Sequence, residues 1–227
     1  MAGRKLKQII LEILETEDLD QGIKKILFYP YGRSIGPLIS LFCSKEPLIK
    51  WKAVTVIGVV AGKIADADIE YARVIMRRLM WTLNDESGGI GWGVPEAMGE
   101  IMALSDVLAR EYHKILISYI SPGANFLEVP ALQKGVLWGL TRLASERPEY
   151  LDGAVEFLPK FFDSEDPSLR GLSAFATLKI DPKSSDRIPE SLYQDASEID
   201  FYQDGEINLY LLKDFLKLAV SSPVNVQ

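Results

Sequence analysis

The residues most able to do chemistry in this chain cluster in "NDESGGIGWGVPEAMGEI", Asn84 to Ile101. Gly88, Gly89, Gly91 and Gly93 open backbone conformations closed to other residues, and a helix starting at Pro95 aims its first N–H groups outward, where anions bind. The run is neither G-x-x-x-x-G-K-[ST] nor a G-x-G-x-x-G after a strand, and no lysine lies beside it, so the parts of a phosphate cradle are missing. Its flanks are acidic instead. Asp85, Glu86, Glu96 and Glu100 surround it, the last two one helical turn apart, which suits either a hard cation or ordinary capping and helix-dipole roles. Trp92, between two glycines, either plugs a neighbouring element or presents its ring to a partner.

Most other chemistries are excluded by inventory. One histidine, His113, and one cysteine, Cys43, cannot supply the three or four N/S ligands of a zinc or non-haem iron site, so neither a metal nor a cofactor is expected. Cys43 follows the apolar run "PLISLF" on an expected helix, with no base signalled nearby, and His113 reads as a helix-surface or groove residue. The aromatic turn "FYPYGRS", Phe28 to Ser34, is a connection between helices or a binding rim that Lys50 and Lys52, beside Trp51, would share.

The 227 residues, 48% hydrophobic and 25% charged, describe one ordinary globular domain. Apolar runs such as "AVTVIGVVAG" are about half the length of a bilayer span, and the N-terminus is amphipathic and interrupted by acids, which argues against a signal peptide. A lone cysteine fits a reducing cytoplasm. The net charge of −7 comes wholly from residues 151–227, which hold 7 basic and 14 acidic residues, while residues 1–80 lean positive with 13 basic and 9 acidic. Acidic overall charge opposes a main role in gripping phosphate backbones, so nucleic acid is an unlikely partner.

The elements that must position these residues are helical. "DADIEYARVIMRRLMWTL" places apolar residues at steps of three and four, with Asp66 as the expected N-cap. Four runs start alike, with Pro47, Pro95, Pro130 and Pro167 at the first helical turn, where a missing N–H costs nothing. Four or five residues on come Trp51, Gly99, Gly135 and Gly171, a position that is usually glycine and so implies close helix packing. The prolines are 48, 35 and 37 residues apart, near the period of paired-helix repeats. Each has an expected partner helix before it: "SIGPLISLFC", "DADIEYARVIMRRLMWTL", "LAREYHKILISYI" and "GAVEFLPKFF". Near the C-terminus "EIDFYQDGEINLY" reads as a hairpin about Asp204-Gly205, followed by the amphipathic helix "LLKDFLKLAV". The hairpin is expected to pack on the last repeat as a cap.

The Pro-started runs, "DPSLRGLSAFA" above all, resemble the HEAT-like (armadillo-type) repeat family over roughly residues 33–180, and "NDESGGIGWGVPEAMGEI" is similar to a stretch typical of one bacterial group of such proteins. The resemblance implies an all-α fold: a right-handed α-α superhelix of HEAT-like repeats with a small C-terminal β-hairpin. One domain is expected, with N-terminal helices over residues 1–32, repeats over 33–180 and a hairpin-and-helix cap over 181–227. It also implies a binding face, with Asp85, Glu86, Trp92, Glu96, Trp138 and Arg142 as candidates and Trp81, Trp92 and Trp138 converging. The expected function is a non-catalytic, cytoplasmic scaffold for a protein or peptide. Two alternatives stand beside it. Tryptophan, carboxylate and arginine on such a face resemble the DNA-alkylation-repair glycosylases, which implies a nucleic-acid-binding protein or glycosylase, and HEAT-like repeats also occur in bilin lyases, which implies a lyase or chaperone for a cofactor-bearing protein. The repeated His-Glu pairs of iron-carrying HEAT-repeat enzymes are missing.

Overall fold

A computed structural model describes residues 3–83 and 91–221. Its helices form two layers. In the outer layer lie α3 (Tyr31–Leu41), α5 (Ile69–Leu83) and α7 (Asp106–Ser118). The inner layer comprises α4 (Pro47–Ala67), α6 (Val94–Leu104), α8 (Pro130–Glu146) and α9 (Pro167–Ile180). Each outer helix packs on the inner helix that follows it in the chain, and α4, α6, α8 and α9 pack on one another in sequence order. All four inner helices carry proline in the first turn, as the repeat pattern predicts. At the N-terminal end, α1 (Gly3–Thr16) and α2 (Leu19–Ile26) close the stack against α3 and α4.

Two local expectations are corrected. The outer helix begins at Ile69, not after Asp66, because α4 continues to Ala67; Asp68 forms the joint and accepts a 3.0 Å bond from the Tyr71 N–H. The fourth outer element is no helix. "GAVEFLPKFF" folds within a chain of three 3-10 turns, Pro148–Tyr150, Asp152–Ala154 and Leu158–Phe161. Pro159 lacks an N–H and would clash with the carbonyl one turn back, and Gly153 adds backbone freedom, so a continuous α-helix is disfavoured there.

The inner layer is covered on both faces. Every residue from Val94 to Ala103 on α6 is buried, which leaves that helix no solvent stripe. On one side lie the outer helices. On the other lies a C-terminal unit: α10 (Glu190–Tyr193), β1 (Glu198–Gln203), β2 (Glu206–Leu211) and α11 (Leu212–Ser221). The strands pair antiparallel, Gln203 opposite Glu206, around Asp204 and Gly205 with φ of 53° and 90°. Positive φ at both loop residues is the type I′ geometry that Asp-Gly favours. The base of the hairpin packs on α9 and α11, where Phe201 meets Phe175 and Phe215. Its tip does more than cap the last repeat. It crosses the inner layer past α8 and α4 until Gly205 lies against Leu19 on α2.

Candidate functional site

The inner face is built on close approach between helices. A Cβ on Gly99 of α6 would stand 2.4 Å from the Gly139 Cα of α8, so the two backbones touch. The same trick makes room for two carboxylates. A Cβ on Gly135 would meet Glu96 Oε2 at 2.6 Å, and one on Gly58 would meet Glu100 Cγ at 2.5 Å. Glu96 and Glu100, one turn apart on α6, therefore lie over glycines of opposite neighbours. Each is paired with the helix on its other side. Lys50 of α4 reaches Glu96 Oε1 at 2.6 Å, and Arg142 of α8 donates through Nε to Glu100 Oε2 at 2.8 Å. Both carboxylates are buried, while Lys50 and Arg142 keep about a quarter of their side-chain surface exposed (24% each). Burial pushes the Glu100 carboxyl above the usual carboxylate range, against the opposing pull of Arg142. Glu96 Oε2 is buried without a hydrogen-bond partner among the described residues.

Beside this ladder sits an aromatic pocket. Trp51 of α4 and Trp138 of α8 have ring centroids 4.7 Å apart, and Tyr202 from the hairpin stacks on Trp51 at 5.1 Å with planes 7° apart. The Trp138 indole N–H donates to the Tyr202 carbonyl at 3.2 Å, and the Tyr202 hydroxyl lies 3.0 Å from Thr55 Oγ1. Lys50 Nζ hangs over the Trp51 ring at 4.8 Å, within cation–π range. Burial pushes the Tyr202 phenol up to about 12. The Tyr202 hydroxyl and carbonyl both have partners, and Trp51 lies between its ring and that of Trp138, whose centroids are 6.3 Å apart.

The structure brings together three of the six candidate residues, in two roles. Glu96 and Arg142 belong to the ion-pair ladder, whose other carboxylate is Glu100, and Trp138 forms the pocket wall. Trp92 is half-buried at the entrance to α6, where Gly93 (φ 72°) starts the helix and is packed so closely that a Cβ would meet Phe42 at 2.9 Å. No ring contact joins Trp92 to Trp138 or Trp81 among the described residues, and Trp81 is exposed on the outer layer, so the three tryptophans do not converge. Asp85 and Glu86 lie outside the described residues. The pair Glu96 and Glu100, open in sequence to a cation, is engaged by Lys50 and Arg142, and no group of three or more metal-ligating side chains occurs among the described residues. Cys43 lies exposed just beyond α3 and not on it. His113 is half-buried on α7, bonded to the Ala109 carbonyl at 2.8 Å. Lys50 and Lys52 face different ways: Lys52 is buried and donates to the Leu14 and Glu17 carbonyls at the C-terminal end of α1.

Trp51, Thr55 and Tyr202 went unmarked as site residues. One signal was present. At the position after each proline where the other repeats carry glycine, the first carries Trp51.

The two-layered stack defines a helical-repeat protein. More narrowly, it has the armadillo/HEAT-like fold. A computationally designed armadillo repeat protein for modular peptide recognition is similar to it at 15% identity and a TM-score of 0.54, covering 96% of this chain and 90% of that one. A second designed armadillo repeat protein matches at 16% identity and the same TM-score and coverage. At such identities the likeness speaks to the fold alone. No family model matches the sequence, and neither does any curated relative. No helix among the described residues is long and apolar enough to cross a membrane.

Proposed function

We propose that this protein is a non-catalytic scaffold that binds an extended peptide or protein segment on its inner face. One observation carries the reading: that face already holds an extended segment, its own β1, by the means peptide recognition uses. A tryptophan N–H takes a backbone carbonyl, a hydroxyl meets a tyrosine hydroxyl, and an indole stacks on the tyrosine ring. The similarity to a repeat protein designed for modular peptide recognition supports the same reading. A nucleic-acid backbone finds less to hold here, because the inner cations Lys50 and Arg142 are each matched by a buried carboxylate. We place Trp92, Glu96, Trp138 and Arg142 along this face as contact residues, with Asp85 and Glu86 at its edge.

Selection of random twelve-residue peptides on the immobilised full chain tests this. Enriched peptides should lose binding at least tenfold to Trp51→Ala, with Trp92→Ala reporting whether the entrance to α6 takes part. If no sequence is enriched, or enriched peptides bind Trp51→Ala and Trp92→Ala as well as the parent, the inner face is not the binding surface.

A further inference from the structure

The outer layer carries a face that the inner-face reading leaves unused. On α5, Tyr71, Val74, Arg78 and Trp81 follow one another at steps of three and four residues, which puts them on one side of the helix. All four are exposed, Trp81 by 77%. Two glycines of α3 let their side chains lie down across it. The Tyr71 hydroxyl donates to the Gly32 carbonyl at 3.4 Å, and a Cβ on Gly36 would stand 3.8 Å from a terminal nitrogen of Arg78. Arg33, three residues before Gly36 on α3, joins the same surface.

The charges of this face are unanswered. Arg33, Arg77 and Arg78 are exposed and make no ion pair among the described residues. Arg73 on the same helix, by contrast, is held by Glu70 and Glu111, and Arg110, Arg142, Arg147 and Arg170 each pair with a carboxylate. Tryptophan and arginine are the residues that most often anchor protein interfaces. Their complement lies in the same chain. Residues 151–227 hold 14 acidic residues against 7 basic, and the hairpin displays the surplus. Glu198, Asp200 and Glu206 are exposed without an ion pair among the described residues. Leu209, 60% exposed, stands directly opposite Asp200 in the strand pairing.

We propose that the α3–α5 face binds the acidic hairpin of a second copy of this chain. Trp81 and Val74 cover Leu209 of the incoming copy, and Arg33, Arg77 and Arg78 face its Glu198, Asp200 and Glu206. Opposite charge steers the encounter and fixes its register, while the apolar centre holds it. Hairpin and α5 lie on opposite sides of the inner layer, so the two faces cannot meet within one chain. A contact between copies leaves an α5 face free on one and a hairpin free on the other, and the assembly extends beyond a pair. A nucleic-acid strand is the poorer match, because its phosphates meet a chain of net charge −7.

Sedimentation of the full chain at rising concentration in low salt tests this. The average mass should climb past that of a pair, and return towards the single chain in about 0.5 M salt, where exposed charges are screened over a few ångströms. Arg77→Glu with Arg78→Glu on one face, or Asp200→Lys with Glu206→Lys on the other, should each weaken association at least tenfold. Mixing these two reversed chains should restore it, because the altered faces again carry opposite charge. Trp81→Ala, which changes no charge, should also weaken association at least tenfold, and it gives the reading where a reversal disturbs the fold. Lys7→Glu with Lys24→Glu makes the same charge change at exposed sites away from the face and should associate like the parent. A parent that sediments as a single chain at every concentration overturns the proposal. So does association that survives both reversals and Trp81→Ala, that is lost equally in the Lys7 and Lys24 control, or that the mixture fails to restore.

Discussion

Arg142 and Arg73 each hold a glutamate on a neighbouring helix through two nitrogens, one pair on the inner layer and the other on the outer. On the inner side Arg142 bonds Glu100 at 2.8 and 3.5 Å; on the outer side Arg73 bonds Glu111 through Nε at 2.8 Å and through a second nitrogen. The chemistry is the same and the consequence opposite. Burial pushes Glu100 above the usual carboxylate range in spite of its arginine, whereas the hydrogen bond from Arg73 holds Glu111 below it. What differs is what the neighbouring helices do. Around Glu100 they close to backbone contact over glycine; around Glu111 they leave the pair to water. The inner layer is a dry, tightly spaced face, and the outer layer is not.

The strongest way to break this contrast is to force the inner helices apart. Gly99→Val puts a side chain into the Gly139 backbone, which no rotamer change relieves. We expect a loss of about 3 kcal/mol or more, read as a collapse of the urea midpoint or failure to fold. Gly153→Ala, in a 3-10 turn of the outer layer with nothing within 4 Å, is the control and should be near neutral. If Gly99→Val melts with the parent, the inner layer is not held at backbone contact.

Next comes Glu100→Ala, which strands Arg142 with only the exposed Glu146. Removing one partner of a buried pair is costly; because Arg142 is about a quarter exposed (24%), we expect about 2 kcal/mol, below the fully buried case. The comparison sharpens with pH. Glu100 holds its proton more tightly folded than unfolded, so its contribution is complete below the ordinary carboxylate pKa and is lost as pH rises through the raised value. Glu111 runs the other way: its contribution is present above the ordinary value and fades as pH falls through the lowered one. Urea midpoints between pH 3 and 7 should therefore show Glu100→Gln and Glu111→Gln departing from the parent with opposite slopes. Parallel slopes would mean that the two sites share one environment.

How much of this was readable beforehand follows the range of the interactions. The four prolines and the Asp-Gly turn act within a few residues, so the inner helix starts and the hairpin were legible. Pro159 is equally local, and its missing N–H is the sequence signal against a helix in the outer element before α9. The ion-pair ladder was half legible. Glu96 and Glu100 stood one turn apart in plain view, but their partners are set by which helices Gly58 and Gly135 let approach, a property of three chain segments at once. The docking of Tyr202 on Trp51 joins residues 151 positions apart in the chain and leaves no periodic trace. The one hint, a tryptophan where the other repeats have glycine, acquires meaning only once something is known to lie over it.

A smaller effect probes the edge of the dry region. Tyr202→Phe keeps the stacked ring and removes the hydroxyl shared with Thr55, so a loss of about 1 kcal/mol is expected. Its titration is more telling than its stability. Tyr119 and Tyr202 are phenols that burial pushes up to about 12, and Tyr202→Phe should delete one late step from the alkaline absorbance titration. Because the folded chain keeps that proton, the stabilisation from Tyr202 holds below the ordinary phenol pKa and is lost as pH rises towards 12. Should the variant lose an ordinary tyrosine step instead, the pocket is wet and the inner face is not sealed by the hairpin.

The smallest effect belongs to the outer layer. Glu111→Gln weakens an exposed pair whose arginine also contacts Glu70, so the urea midpoint should barely move, and what movement there is should vanish by about 0.5 M salt, where exposed charges are screened over a few ångströms. The effect of Glu100→Ala should survive the same salt, because ions do not enter the space between α6 and α8. That pairing of results separates burial from charge. If salt erased both, the arginine–glutamate contacts of the two layers would be alike after all, and the case for a dry inner face would fall with them.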